Sequence, residues 1–314
     1  MKANFYRLFY VFLFIVIVFI LDVCIGLFFN VKLKELPDDG ERIAKTNYAI
    51  NKVNSDIVII GSSRAETGYN PKILMDSLPQ YTVYNCGGDG QGFFYCNTLI
   101  NTILDRYVPR YIVWDFKESE LAEDSDANLS MLYPFYKNNT IKCVIDQKMG
   151  WRSQVLMRCN SYRFNATAGR IIRAIYSPSR NLQNSFGFGP RPVHAEGIHL
   201  VPNDFILEKG DLNDEKISLF KATVERAQKA GCTIVVVISP MYNIYNYDNV
   251  YTQGVNALCE KYSIPFFDDS HLNGFPHNND LAYDNYHLNI DGANLFTSYF
   301  SKQLKDYIVK KSSE

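Results

Sequence analysis

The chain has 314 residues, 47% of them apolar, which is enough for a packed core and excludes a disordered chain. Its 32 basic residues against 33 acidic ones leave a formal charge of -1, so composition provides no general attraction to nucleic acid or to anionic lipid. Aromatic residues make up 14%, a share that serves packed surfaces and carbohydrate-stacking surfaces alike.

The first element is the apolar run from Phe5 to Phe29. At 1.5 Å per residue its ~25 residues cross a hydrocarbon core of about 30 Å. The run closes on Cys24-Ile-Gly-Leu-Phe-Phe with no A-x-A cleavage pattern, so it reads as a retained anchor rather than a secretory signal. A lipid on Cys24 is disfavoured, because Leu21-Asp22-Val23 lacks the small residue expected before it. Lys2 and Arg7 before the span are matched by Lys32 and Lys34 after it, so charge does not set the orientation. The short amino-terminal tail favours a tail-inside anchor with the remainder exported. Asp22 is the odd residue: a carboxylate near the middle of a span costs roughly 2.5–3.5 kcal/mol. The expectation is that it sits at the outer interface or meets a partner helix.

Residues 1–30 are thus expected to be the transmembrane anchor, 31–54 a stalk containing Pro37 and Gly40, and 55–314 the folded domain. Asp56-Ile-Val-Ile-Ile-Gly61 predicts a buried strand delivering a loop to a sheet edge. Asn70-Pro71 opens a helix, and a second strand over 81–85 ends at Cys86-Gly-Gly-Asp-Gly-Gln-Gly92. A helix over 91–104 leads to a third strand over 110–116. Pro134, Pro178, Pro190, Pro192 and Pro202 interrupt the rhythm, so about 117–211 is expected to be an insertion with short helices around 151–175, forming a wall or lid. Alternation resumes with a helix near 214–230, a strand over 232–240, a helix near 247–262, a short strand over 264–267 and a last helix from about Asp291 to Lys310. The pattern predicts an α/β fold, a three-layer α/β/α sandwich around a flavodoxin-like parallel sheet of about five strands, preceded by one amino-terminal transmembrane helix.

Beyond Cys24, the cysteines at 86, 96, 143, 159, 232 and 259 include no C-x-x-C pair, which leaves zinc and thioredoxin-like chemistry unsupported. Cys143 with Cys159, and Cys232 with Cys259, are close enough in sequence for bridges, and buried thiols fit equally well. Gly88-Asp-Gly90-Gln-Gly92 matches neither the dinucleotide fingerprint nor a phosphate loop, so no cofactor is expected. His194 and His199 have metal-like spacing without an accompanying carboxylate pattern, and His271 and His277 are scattered in loops, so no metal is expected either.

In a parallel sheet, sites form at the carboxyl ends of the strands. The loop after the first strand carries Gly61-Ser62-Ser63-Arg64, and Asp284-Asn-Tyr-His287 precedes the last helix. A serine hydroxyl needs a base to take its proton, and the base needs an acceptor that fixes its tautomer. Ser63, His287 and Asp284 supply those parts. Alternatively, the serines cap a turn and Asp284 caps a helix start.

These blocks resemble the SGNH (GDSL-like) hydrolase family, with Gly61-Ser62-Ser63 in place of Gly-Asp-Ser and Asp284-Asn-Tyr-His287 as Asp-x-x-His. The resemblance spans about 55–310 apart from the insertion. It implies Ser63 as nucleophile, His287 as general base and Asp284 as its orienting carboxylate. It also implies an oxyanion hole from Ser63 and Gly90, with Gly87 and Gly88 as alternatives. The family's Gly-x-Asn-Asp block is missing: the third strand continues as Trp114-Asp-Phe-Lys-Glu-Ser-Glu120, so Lys117 or Asn85 would have to replace the asparagine donor. Asn85 and Arg64 are the candidate substrate contacts, Arg64 either holding an anion or pairing with Glu66. With a Gly-Ser-Ser block and an anchor, the chain is similar to membrane-tethered members that assist acylation of surface polymers such as alginate and teichoic acid. That likeness implies a serine esterase or O-acyltransferase acting outside the cytoplasm on acyl, chiefly acetyl, esters of surface glycans or small esters. It would have a multispan acyltransferase as possible partner and no nucleic acid. The competing expectation is a catalytically weak module that binds glycan or assembles an acylation complex.

Overall fold

The computed structural model describes residues 2–38, 40–122, 128–177, 185–193, 200–202, 204, 206, 211–246 and 249–313. Pro178, His194 and His199 lie outside the described residues. Helices α1 (Lys2–Lys34) and α2 (Arg42–Asn51) precede strand β1 (Ile57–Ile60). Then come α3 (Ser63–Gly68), α4 (Pro71–Ser77), β2 (Val83–Asn85), α5 (Phe93–Leu104) and β3 (Tyr111–Asp115). A 3-10 turn over Ser130–Phe135 leads to α6 (Asn139–Met149), α7 (Trp151–Leu156), α8 (Asn160–Phe164) and α9 (Ala168–Tyr176). The chain closes with α10 (Asp214–Ala230), β4 (Thr233–Ile238), α11 (Val250–Lys261), β5 (Phe266–Asp268) and α12 (Ile290–Ser312).

The sheet is five-stranded in the order β2-β1-β3-β4-β5, and every pairing is parallel. The strands are apolar and largely buried because helices cover both faces. Val58, Ile60, Ile112, Trp114, Ile234 and Val236 point into one core with α2, α5 and α10. Their alternates Ile57, Ile59, Val113, Val235 and Val237 meet α4 and α12 on the other face. This is the expected three-layer α/β/α sandwich. Local signals start its helices: Asn70 caps α4 through Lys72 N–H with Pro71 at the first turn, and Asn213 caps α10, which stops at left-handed Gly231. From β1 the chain moves outward to β2 and then crosses to β3 on the opposite side, so the order reverses between β1 and β3. A crevice forms at the carboxyl ends of such a switch point.

The segment expected as a stalk contains α2, whose Ile43, Ala44, Ala49 and Ile50 are buried in the core, so this part packs on the domain instead of standing clear of it. The residues of α2 alternate apolar and polar too irregularly to advertise a buried face. In the expected insertion, α6 and α9 pack against α5 and α2, and α8 and α9 against α1. The seven cysteines are free thiols. Cys86, Cys232 and Cys259 are buried, and desolvation pushes each thiol up to about 12, which makes them inert. From Phe5 to Lys34, α1 is long and apolar enough to cross a membrane, a test that a signal sequence also passes.

Candidate active site

At the end of β1, a side chain on Gly61 would lie 2.7 Å from Ala65 Cβ and 2.9 Å from the Asp115 carbonyl. Glycine lets β1 turn tightly against β3 at this point. Ser62 then caps α3, its Oγ accepting from Arg64 N–H at 3.4 Å. Ser63 is the first residue of α3, so its own N–H has no intrahelical acceptor.

The loop before α12 is tied into one shape. Tyr283 N–H donates to the His287 carbonyl at 2.9 Å, and Asp284 Oδ1 accepts from the N–H groups of Tyr286 and His287 at 2.8 and 2.9 Å. Asn289, fully buried, caps α12 through Gly292 N–H and donates to the carbonyls of Asp280 and Val193 at 2.8 and 2.9 Å. A side chain on Gly292 would meet the Leu281 carbonyl at 2.1 Å. Asn289 therefore clamps the loop that aims His287, a positioning role the sequence reading missed. Its Asn-x-x-Gly helix-start spacing is the signal that could have shown it.

Ser63, His287 and Asp284 lie in a row. His287 Nε2 is 2.8 Å from Ser63 Oγ, while Nδ1 is 2.8 and 2.9 Å from the two Asp284 oxygens. An ionised carboxylate only accepts, so Nδ1 carries the proton and Nε2 turns its lone pair to the hydroxyl. Burial pushes the Asp284 carboxyl up, but hydrogen bonds from the His287 ring and from backbone N–H groups outweigh it and hold it below the usual carboxylate range.

The glycine loop after β2 sorts its own candidates. Gly87 N–H is spent on Asn85 Oδ1 at 2.9 Å and Gly88 N–H on the Gly61 carbonyl at 3.1 Å. Gly90, at φ 70°, lines the same cleft as Ser63, and its N–H meets no acceptor of the chain among the described residues. Asn85 must be corrected as a substrate contact or stand-in donor. It is 0% exposed, and its amide donates to the carbonyls of Ala65 and Tyr69 at 2.7 and 3.0 Å, fastening β2 to α3.

Arg64 is also placed differently from its expected pairing. Glu66 pairs with Lys45 at 3.1 Å, whereas Arg64 Nη1 donates to Glu118 Oε2 at 2.7 Å and its other nitrogens to the backbone carbonyl and hydroxyl of Ser239. With Arg64 only 7% exposed and Glu118 3%, this pair forms the floor of the cleft. Asp115 lies beside it, accepting from Tyr69 Oη at 2.9 Å and Ser239 N–H at 3.2 Å, and burial raises its carboxyl above the ordinary value. Asp269 is pushed up to about 6, chiefly by burial.

The cleft itself measures about 360 Å³ and is walled by Lys117, Met241, Tyr245 and Tyr286 together with Ser63 and His287. Lys117 enters it two residues after the end of β3. Of the insertion expected as a lid, Lys117, Glu118 and Ser119 line the cleft. The tyrosines were not singled out from sequence, since nothing local distinguishes them among 22.

No protein-family model and no curated protein matches the sequence. The chain is similar to the solved structure of a psychrotrophic esterase from a Pseudoalteromonas species, at 14% identity and a TM-score of 0.38, covering 80% of this chain and 97% of that one. It is also similar to an acetyl xylan esterase, at 12% identity and a TM-score of 0.40, covering 80% of this chain and 99% of that one.

Proposed function

We propose that the chain is a membrane-anchored serine ester hydrolase or O-acyltransferase that works outside the cytoplasm on acyl, chiefly acetyl, esters of surface glycans. The observation that carries this reading is the 2.8 Å approach of His287 Nε2 to Ser63 Oγ, with the far ring nitrogen clasped by Asp284. Ser63 Oγ attacks the ester carbonyl while its proton passes to Nε2, and the imidazolium that forms is stabilised by Asp284. The tetrahedral oxygen faces the N–H groups of Ser63 and Gly90, with Lys117 supplying positive charge in place of the absent asparagine. His287 returns the proton to the departing alcohol, leaving an acyl-serine. Water or a sugar hydroxyl, deprotonated by the same nitrogen, then takes the acyl group and restores Ser63. Tyr245 and Tyr286 offer faces on which a sugar ring can lie. The anchor is α1, which keeps the domain at the membrane surface beside a multispan acyl donor.

Release of acetate from p-nitrophenyl acetate and from acetylated oligosaccharides, by the full chain in detergent, tests the proposal. Activity lost in Ser63→Ala with an unchanged circular dichroism spectrum supports it, and full activity in that variant overturns it. Sugar-acceptor dependence separates transferase from hydrolase. If the folded protein binds acetylated glycan without turnover, it is the binding module instead.

A further inference from the structure

Side chains of α1 are largely exposed from Phe5 to Leu21, and contact with the rest of the chain begins at Asp22. There the carboxylate accepts from Asn160 N–H at 2.9 Å, Ser161 N–H at 2.8 Å and Ser161 Oγ at 2.5 Å, with Asn160 Nδ2 at 3.0 Å. Gly26 leaves no room for a side chain beside Asn160, Phe29 stacks on Phe164 at 5.2 Å, and Lys32 sits over the Tyr176 ring at 5.7 Å. The α8–α9 pair therefore climbs α1 from Asp22 toward Lys32, so the turn joining α7 to α8 is held at the level of Asp22. A carboxylate with this many donors belongs outside hydrocarbon. The bare stretch below it spans about 25 Å at 1.5 Å per residue, close to the apolar thickness of a bilayer. The membrane boundary thus falls where α7 arrives.

That short helix carries an unusual surface for a solvent-facing element. Trp151 is 73% exposed and Val155, one turn on and on the same side, 60% exposed, while Arg152 and Arg158 flank them and are exposed too. An exposed tryptophan with an apolar neighbour and arginines is the side-chain set of a membrane interface, where indole sits at headgroup level and guanidinium meets phosphate.

We infer that α7 and the turn after it are a second membrane contact, occupied by a bilayer bearing anionic headgroups. Trp151 and Val155 enter the headgroup layer, and Arg152 and Arg158 bind lipid phosphates. Anchor and contact are locked together through Asp22, so the domain is held in one orientation over the membrane rather than swinging on a tether. The inference rests on α1 being a retained span.

The test uses the full chain in vesicles of phosphatidylcholine and phosphatidylglycerol, made with and without brominated acyl chains. The chain has two tryptophans, and Trp114 is wholly buried in the sheet core, so quenching at an exposed indole reports Trp151. Brominated lipid is expected to remove the share of emission that Trp151→Phe removes, and aqueous iodide is expected to leave that share intact. Stripping of the protein by alkaline wash would overturn the anchor and this inference together. Retention with Trp151 quenched by iodide and indifferent to bromine would overturn the second contact and leave the anchor standing. Equal quenching in pure phosphatidylcholine, or in Arg152→Gln/Arg158→Gln, would remove the role given to the arginines.

Discussion

Ser63 and Arg64 are neighbours in the chain, yet they serve two networks with opposite physics. Ser63 belongs to the rim, where the side chains of His287 and Asp284 remain 18% and 24% exposed and three groups stand in one hydrogen-bonded row. Arg64 turns down into the floor, against Glu118, Ser239 and the buried Asp115. The rim opens on the cleft, where Ser63 and His287 are within reach of a bound molecule. On the floor, Arg64 and Glu118 are buried against fixed partners, so they join the ends of β3 and β4. At one short helix start, Ser63 thus meets His287 at the rim while the next residue is fastened inward on Glu118.

If this division is right, rim substitutions lose rate and floor substitutions lose stability. The largest expected effect is on the rim: Ser63→Ala or His287→Ala lowers kcat by about 10⁴–10⁶-fold, and Asp284→Asn by about 10⁴-fold, with thermal unfolding in detergent unchanged. Initial-rate measurements beside melting curves check the pairing of lost rate with kept stability. On the floor, Glu118→Gln leaves a buried guanidinium uncompensated and is expected to cost about 3–5 kcal/mol of stability. Arg64→Met combined with Glu118→Gln is expected to recover most of it in chemical unfolding. A double variant as unstable as the single would break the comparison.

Asp269 sharpens it by pH. Its folded carboxyl titrates near about 6, above the ordinary 3.8, so the folded chain keeps a proton that the unfolded chain releases between those values. The stability attached to that proton is full below pH 3.8 and lost as pH rises through 6. Asp269→Asn is therefore expected to stabilise the domain by about 3 kcal/mol at pH 8 and by nothing near pH 3.5, measured as unfolding free energy against pH. The smallest effect is at Gly90, whose φ of 70° suits glycine and whose nearest neighbour to an added carbon is Arg42 Nη1 at 3.9 Å. Gly90→Ala keeps its N–H and is expected to cost about 1–2 kcal/mol of stability while kcat falls less than for any rim variant.

Much of the sheet was legible because buried parallel strands are written as short β-branched runs, such as Ile57–Ile60 and Thr233–Ile238, between helices with asparagine caps. The row of Ser63, His287 and Asp284 was legible for a related reason: each sits beside an element boundary that local residues mark. What escaped was set by distant packing. Asn85 looks like a loop donor in sequence, but the carbonyls that consume its amide come from α3 and the residue after it. Arg64 has an acid two positions on, while its actual partner is 54 positions away. Asp22 looked misplaced in an apolar run until α8 supplied its donors. No local pattern encodes a partner that the tertiary fold delivers.

The most direct test of the rim is reaction of the folded full chain with a fluorophosphonate, followed by peptide mass measurement. One adduct is expected, on Ser63, absent from Ser63→Ala and strongly slowed in His287→Ala. A folded chain that stays unmodified, or that labels equally fast without the imidazole, would contradict it.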